Sequence, residues 1–569
     1  MKRVLFRSAV GILSAISLAG LKPVILDAQS SRQSQRHEVN SAILPRIVRQ
    51  NGIAQLMVDG QPYLMVAGEL HNSSASSSEY MRPIWEKLVG LHLNTVIGTV
   101  SWELVEPEEN RFDFSTVDDQ IKAAEQHHLR LVLIWFGCWK NASSSDAPGW
   151  LKLDPKRFPR ADRQPGTTSS SPFGDAEKAL TPFGDAAVAE DAKAFRALMQ
   201  HIKTTDIHHT VIMMQVENEV GILGTSRDYS PLARSAWSQP VPAELMKYLV
   251  RHKASLLPEL SSAWAANGYK ESGTWAEVCG TNAASDEVFM SWAFGRALQK
   301  ITASGKQALP IPMYANAWLG PQPGQTTPGQ YPSGGPVAGM LDVWRAAAPA
   351  LDLFSPDIYI ADFKGACSKY VRSGNPLFFP ESRPSVPNYF WAVGQQNALG
   401  VSPFGVEDFA ANAALAAANE TLRGLAPLIL TNRAAGKVMT VMEDDPATVE
   451  KFQQLTGLAI SFRGSSSEMA KDLPPAPTAD SSPNIKAEKD RRGFAMVIQT
   501  APSEFIVAGS GAVIKNAAAR VESLDEMLIR DNRLVPGRRF NGDERFVDNL
   551  FGLSSEQIQV RKIVTFQTQ

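Results

Sequence analysis

Two glutamates in this chain each close a strongly apolar run. Glu219 ends VIMMQVENE (Val211 to Glu219), and Glu381 ends PLFFPE (Pro376 to Glu381). A carboxyl group at the emerging end of a buried strand is partly desolvated, which favours its neutral form and lets it hold a proton for a leaving-group oxygen. A second carboxylate facing it can attack the carbon that the leaving group departs from. Acid and nucleophile on one bond is the chemistry of retaining glycoside hydrolysis, which needs the two carboxyls roughly 5 to 5.5 Å apart. Strand alternation puts Gln215, Glu217 and Glu219 on one face, so spacing alone leaves Glu217 and Glu219 both in contention.

Further polar and aromatic groups fall at the ends of other apolar runs: Glu69 and His71, Trp102 and Glu103, Trp139 and Asn141, Tyr314 and Trp318, and Tyr359 in SPDIY. Sugars call for this mixture, because hydroxyls need directional hydrogen bonds while C–H faces stack on rings. For each residue taken singly, packing or loop capping is the competing reading. Tyr359 is placed to hydrogen-bond the Glu381 carboxylate. Other chemistries lack support. The nine histidines include the pairs His127-His128 and His208-His209 but no HExxH or Cys/His ligand spacing, so no metal is expected. No GxSxG elbow occurs, and the first apolar run ends in GELHNSS rather than a glycine-rich phosphate turn, so no nucleotide cofactor is expected. A formal net charge of -2 without a basic tract argues against a nucleic-acid partner and for a neutral carbohydrate.

These residues need a scaffold that brings strand ends together. Eight β-rich runs alternate with amphipathic stretches: Tyr63 to Leu70, Leu93 to Trp102, Leu129 to Gly137, Thr210 to Glu219, Leu309 to Trp318, Leu353 to Ile360, Pro376 to Ser382 and Val401 to Asp408. Near-continuous apolar strands, each followed by a helix such as Ser77 to His92 or Val117 to His128, indicate a parallel sheet buried on both faces. Eight of them predict an α/β fold, a (β/α)8 TIM barrel, over residues 45–435. Its fourth and seventh strands end across the mouth from each other. Inserts at Cys138 to Phe183 and Ile222 to Gln239 fall where loops build the rim, and Ala411 to Leu430 reads as the closing helix. Beyond it, residues 436–569 alternate short β-like runs with a Pro/Ser linker, predicting a C-terminal β-rich, sandwich-like domain. At the other end, Lys2, Arg3 and Arg7 precede an apolar run from Ser8 to Gly20 and a small residue at Ala28, the layout of a signal peptide over 1–28. A polar leader over 29–44 follows, and export to the periplasm or medium is the expectation. Three cysteines, Cys138, Cys279 and Cys367, allow at most one disulfide.

QVENEVG (Gln215 to Gly221) resembles the acid/base motif of family 35 glycoside hydrolases, chiefly β-galactosidases. LNTVIGTVSWELVEPEENRFDFS (Leu93 to Ser115) is similar to that family's second-strand block. The resemblance covers about residues 45–410. It implies that Glu219 is the acid/base, Glu381 the nucleophile and Asn218 the contact to the sugar 2-hydroxyl, and it is what selects Glu219 over Glu217. The sequence departs from the pattern at Thr210 and Val211, where Gly-Gly-Pro is usual, at Val220, where an aromatic is usual, and at Trp102-Glu103, where Trp-Asn is usual. It resembles a divergent bacterial branch, with barrel features also seen in family 42. The implied activity is exo-hydrolysis of terminal β-galactosides by double displacement. A β-glucosidase or endo-glucanase of the same clan is the nearer alternative. A non-catalytic carbohydrate-binding protein on the same barrel is the farther one.

Overall fold

The computed structural model describes residues 44–462, 490–545 and 550–567. The signal layout, the leader up to residue 43 and the whole Pro/Ser linker expected from sequence lie outside the described residues. A short antiparallel meander comes first, β1 (Arg46–Gln50), β2 (Ile53–Val58) and β3 (Gln61–Tyr63). Its Ala54, Leu56 and Val58 pack against Met65, Ile97, Val132, Ile134 and Phe378, closing one end of the barrel interior with aliphatic side chains.

The barrel strands are β4 (Met65–Glu69), β5 (Thr95–Ser101), β6 (Arg130–Lys140), β7 (Val211–Asn218), β8 (Met313–Trp318), β9 (Leu353–Asp357) and β10 (Gly400–Val401). They form one parallel sheet in the order β10-β4-β5-β6-β7-β8-β9. Seven strands leave a gap between β9 and β10, and the run Pro376 to Ser382 fills it. Ile358 N–H donates to Glu381 O at 2.9 Å on one side, and Leu399 N–H donates to Leu377 O at 2.8 Å on the other. Single bridges Ile358–Ser382 and Phe379–Val401 complete the ring. The run lacks a continuous ladder because Pro376 and Pro380 have no N–H to give. The eight-fold α/β barrel read from sequence is therefore present, with its seventh strand held by bridges at both edges.

Side chains on the strands are almost all buried, as a sheet covered on both faces requires. Helix Ser78–Gly90 turns Met81, Ile84, Trp85 and Leu88 inward, an i, i+3, i+4, i+7 stripe, with Ser77 capping its N-terminus through Tyr80 N–H. The longest helices, Asp185–Thr205 and Ala283–Ala308, lie side by side. Gly305 is the close point, since a Cβ there would meet the Phe195 ring. The closing helix runs Ala413–Asn432.

After it come β11 (Val438–Met442), β12 (Leu458–Phe462), β13 (Phe494–Ala501), β14 (Glu504–Ser510), β15 (Ala512–Asn516), β16 (Ala519–Arg530), β17 (Arg533–Arg539), β18 (Leu550–Gly552) and β19 (Gln559–Gln567). They make a six-stranded sheet, β11-β13-β14-β19-β16-β17, and a three-stranded one, β12-β15-β18. Val441, Phe452, Val497, Val507, Ile514 and Ile563 fill the space between, the β-rich region the sequence predicted. Gly424 of the closing helix lets Ile529 of β16 approach its backbone, so this region packs directly on the barrel. The three cysteines are free and buried. Among the described residues no helix is long and apolar enough to cross a membrane.

Candidate active site

The end of β7 departs from regular strand. Glu217 (φ 63°) and Glu219 (φ 46°) both adopt the left-handed backbone conformation, which non-glycine residues enter at a cost of about 1 to 3 kcal/mol. Two such residues two positions apart break the alternation that would have put both carboxyls on one face. Glu217 turns toward β6, where its carboxyl accepts the N–H groups of Cys138 (3.1 Å) and Trp139 (2.7 Å). Glu219 turns into the barrel mouth, its own N–H donating to Asn316 Oδ1 at 2.9 Å. Glu217 is 0 % exposed and Glu219 8 %, so of the two only Glu219 opens toward a substrate.

Glu381, across the mouth, is also 8 % exposed. One oxygen each from Glu219, Glu381 and Asp357, the last residue of β9, lie within 4.8 Å of one another. Glu381 collects the most donors: Tyr359 Oη at 2.6 Å, Asn218 Nδ2 at 3.4 Å and Asn316 Nδ2 at 3.5 Å. Asp357 receives one, Asn316 Nδ2 at 2.7 Å. Asn316 thus ties the backbone of Glu219 to both other carboxyls.

Three buried acids this close cannot all be ionised. Burial, then the charge of Glu381, pushes the Glu219 carboxyl up to about 8. Burial, then the charges of Glu381 and Glu219, holds Asp357 well above the usual carboxylate range. Burial also raises Glu381, but the Tyr359 and Asn218 hydrogen bonds and the nearby Lys140 oppose it. With three donors to one or none for its neighbours, Glu381 is the member that keeps the negative charge. The trio has the oxygens to hold a cation, yet the same crowding is met by protons on Glu219 and Asp357.

The remaining sequence-predicted residues divide into two groups. Tyr359 donates to Glu381 as expected, and Glu69 and Tyr314 are fully buried within electrostatic reach of the trio, the two Glu69 carboxyl oxygens and the Tyr314 hydroxyl having no hydrogen-bond partner among the described residues. Trp318 lines the β8 end, its indole N–H on Gln325 and its ring beside Phe173. His71 sits near the rim, bonded to Asp408 at 2.8 Å and edge-on to Phe404. Trp102 and Trp139, in contrast, are packing residues. Both are 0 % exposed, and their indole N–H groups go to Glu106 and to Leu180 O, so neither presents a face to a sugar. Glu103 lies outward in an ion pair with Lys152, and Asn141 acts through its backbone, its N–H donating to Asn218 O at 3.0 Å. Asp357 and Asn316 are not among the residues expected from sequence. Period two had the signal, since Asn316 sits between the chosen Tyr314 and Trp318, and Asp357 two residues before Tyr359.

Residues 74–288 match the family model described as "Beta-galactosidase", that of glycoside hydrolase family 42. The match falls within the barrel and takes in the β7 end that carries Glu219. The model matched is that of family 42, not of the family 35 that the motifs resemble. The Asn218-Glu219 pair in QVENEVG does not separate the two, because the resemblance it carries, a Glu after an Asn on the fourth strand, is that of a clan of barrel glycosidases. Residues 415–550 match a domain of unknown function. A β-galactosidase of Xanthomonas manihotis is 35% identical over 82 residues, so the chain spans about 14% of the length of that curated relative, and 14% of this chain is covered. Among solved structures, the β-galactosidase of Bacillus circulans sp. alkalophilus is similar at 16% identity and TM-score 0.39, over 60% of this chain and 50% of its own. The β-amylase catalytic domain of Paenibacillus polymyxa is similar at 14% identity and TM-score 0.42, over 60% and 92%.

Proposed function

We propose that the chain is a retaining exo-β-galactosidase in which Glu381 is the nucleophile and Glu219 the acid/base. The observation that carries this is the convergence of Glu381 and Glu219, one oxygen of each within 4.8 Å, at the mouth of the barrel, where burial and the Glu381 charge push the Glu219 carboxyl up to about 8. Glu381 attacks the anomeric carbon while the bond to the aglycone oxygen breaks, and that oxygen takes the Glu219 proton. Glu219, now a carboxylate, removes a proton from water as the water displaces Glu381 and the free sugar leaves. A short carboxyl separation favours this route over inversion, which needs room for a water between the acids. Asn218, beside Glu381, is set to hold the sugar 2-hydroxyl. The family description and the Xanthomonas relative support galactose as the sugar.

Glu219→Ala tests the reading directly. It should slow hydrolysis of an aryl β-galactoside by about 10²- to 10⁴-fold, and azide should restore turnover with formation of the β-galactosyl azide. No rescue, or an α-azide, defeats the assignment. A panel of aryl β-glycosides then separates galactosidase from glucosidase, and a greater rate on the β-glucoside would overturn the sugar assignment.

The pH profile follows from the same groups. Glu219 must be protonated to act as acid, so kcat/KM should fall as pH rises through about 8. Glu381 must be ionised, so an acid limb should mark its protonation. Tyr359→Phe removes the 2.6 Å donor that favours the carboxylate. The acid limb should therefore move to higher pH with the alkaline limb in place, and an unmoved acid limb would contradict the Tyr359 role.

Export also belongs to this reading, supported by the basic and apolar amino-terminal layout. The amino-terminal sequence of protein recovered from a bacterial host should begin after Ala28. An intact Met1 on all the active protein would rule out a cleaved signal peptide.

A further inference from the structure

Glu217 is a buried carboxyl that the reaction leaves unused, and both of its oxygens are committed to backbone N–H groups. Between the pairs Trp135–Val216 and Lys140–Asn218, four residues of β6, Phe136 to Trp139, stand against the single residue Glu217 of β7. This bulge leaves backbone N–H groups without strand partners. The Glu217 carboxyl takes two of them, Cys138 and Trp139. Asp191, from helix Asp185–Thr205, reaches the same place: its Oδ2 accepts Cys138 N–H at 2.7 Å and its Oδ1 accepts Trp135 Nε1 at 2.8 Å. Both acids are 0 % exposed, and their oxygens converge on one N–H. Two bare carboxylates cannot occupy that space, so one proton lies between them. Beyond the bulge the chain turns at Lys140–Ser143, and two N–H groups of that turn grip the catalytic segment: Asn141 on Asn218 O at 3.0 Å and Ala142 on Glu219 O at 3.2 Å.

We propose that Glu217 and Asp191 are a positioning pair, sharing one proton, that fastens the β6 bulge to β7 and thereby holds Glu219 in its left-handed conformation facing Glu381. Glu217 acts through Glu219 and touches no substrate. The inference rests on Glu219 being the acid/base, and the test keeps the two apart.

Glu217→Gln retains the essential bonds. Its amide nitrogen donates to Asp191 in place of the shared proton, its oxygen accepts Trp139 N–H, and Cys138 N–H keeps Asp191. Glu217→Asp keeps the acid but withdraws the carboxyl by one methylene from both N–H groups. In the full-length enzyme, Glu217→Gln should keep kcat within about threefold of wild type. Glu217→Asp and Glu217→Ala should lose about 10²-fold or more in kcat on a substrate with a poor leaving group, with KM little changed, as expected when a general acid is misaligned. The loss in kcat/KM should be much smaller on a dinitrophenyl glycoside, whose departure needs no proton, and azide, which needs no base, should accelerate the second step in both variants. A general weakening of the fold would instead cost the same for every leaving group and would not respond to azide. Should Glu217→Ala fail to fold, the contrast between Gln and Asp carries the test. Equal losses in Gln and Asp, or a loss independent of leaving group, would overturn the proposal. Absence of azide rescue in Glu219→Ala would instead remove the acid/base reading beneath it.

Discussion

Glu381→Gln is expected to lower kcat/KM on an aryl β-galactoside by on the order of 10⁵- to 10⁶-fold, the scale on which losing a covalent nucleophile costs, or about 7 to 8 kcal/mol of transition-state stabilisation. The amide oxygen can still accept the Tyr359 hydroxyl, so the contacts that hold the side chain survive. Stability should not fall, and the thermal midpoint should be equal or higher, because burial disfavours the native charge that the substitution removes. Glu381→Ala adds a stereochemical check. Azide entering the space of the missing carboxylate meets the sugar on the face opposite the leaving group and should give the α-azide, the reverse of the Glu219→Ala product. Together the two configurations assign the two roles without recourse to rates. Residual activity of Glu381→Gln above roughly 1 % of wild type would be inconsistent with a nucleophile at this position.

The two strand-end carboxyls were legible in the sequence because each follows an apolar run, and a barrel brings the ends of such runs to one mouth. The barrel was legible for the same reason, except that Pro376 and Pro380 turned the seventh strand into a bridged segment. The choice between Glu217 and Glu219 was not legible from pattern. Alternation assumes a regular strand, and both residues sit at positive φ. What puts them there is a bulge on β6, a partner strand about eighty residues earlier in the chain, sealed by an aspartate from a helix, and no local spacing encodes that arrangement. Trp102 and Trp139 show the converse error. An aromatic at a strand end satisfies the pattern for a sugar platform equally well whether its ring faces the mouth or the helices, and here the indole N–H groups are committed to Glu106 and Leu180 O.

The bulge makes one glycine indispensable. A Cβ on Gly137 would meet Glu217 Oε1 at 2.5 Å, Trp135 Nε1 at 2.5 Å and Asp191 Oδ2 as closely, all three of them members of the same hydrogen-bonded cluster. Overpacking alone costs about 1 to 3 kcal/mol. Here relief requires Asp191 or Glu217 to withdraw, leaving the Trp135 indole N–H or the Trp139 backbone N–H buried without an acceptor at about 1 to 3 kcal/mol more for each. Gly137→Ala should therefore lose about 4 kcal/mol or more, a large share of a typical folding free energy, read as a lowered denaturant midpoint or as loss of soluble protein. Gly90→Ala is the matched control: a Cβ there meets nothing within 4 Å, and it ends a helix, so it should be neutral or slightly stabilising. Wild-type stability in Gly137→Ala would mean that the two acids do not hold the positions described. If soluble protein is obtained, its kcat on a poor leaving group should fall further than its folded fraction, because the cluster that a methyl displaces is the one that fixes Asn218 and Glu219 from behind.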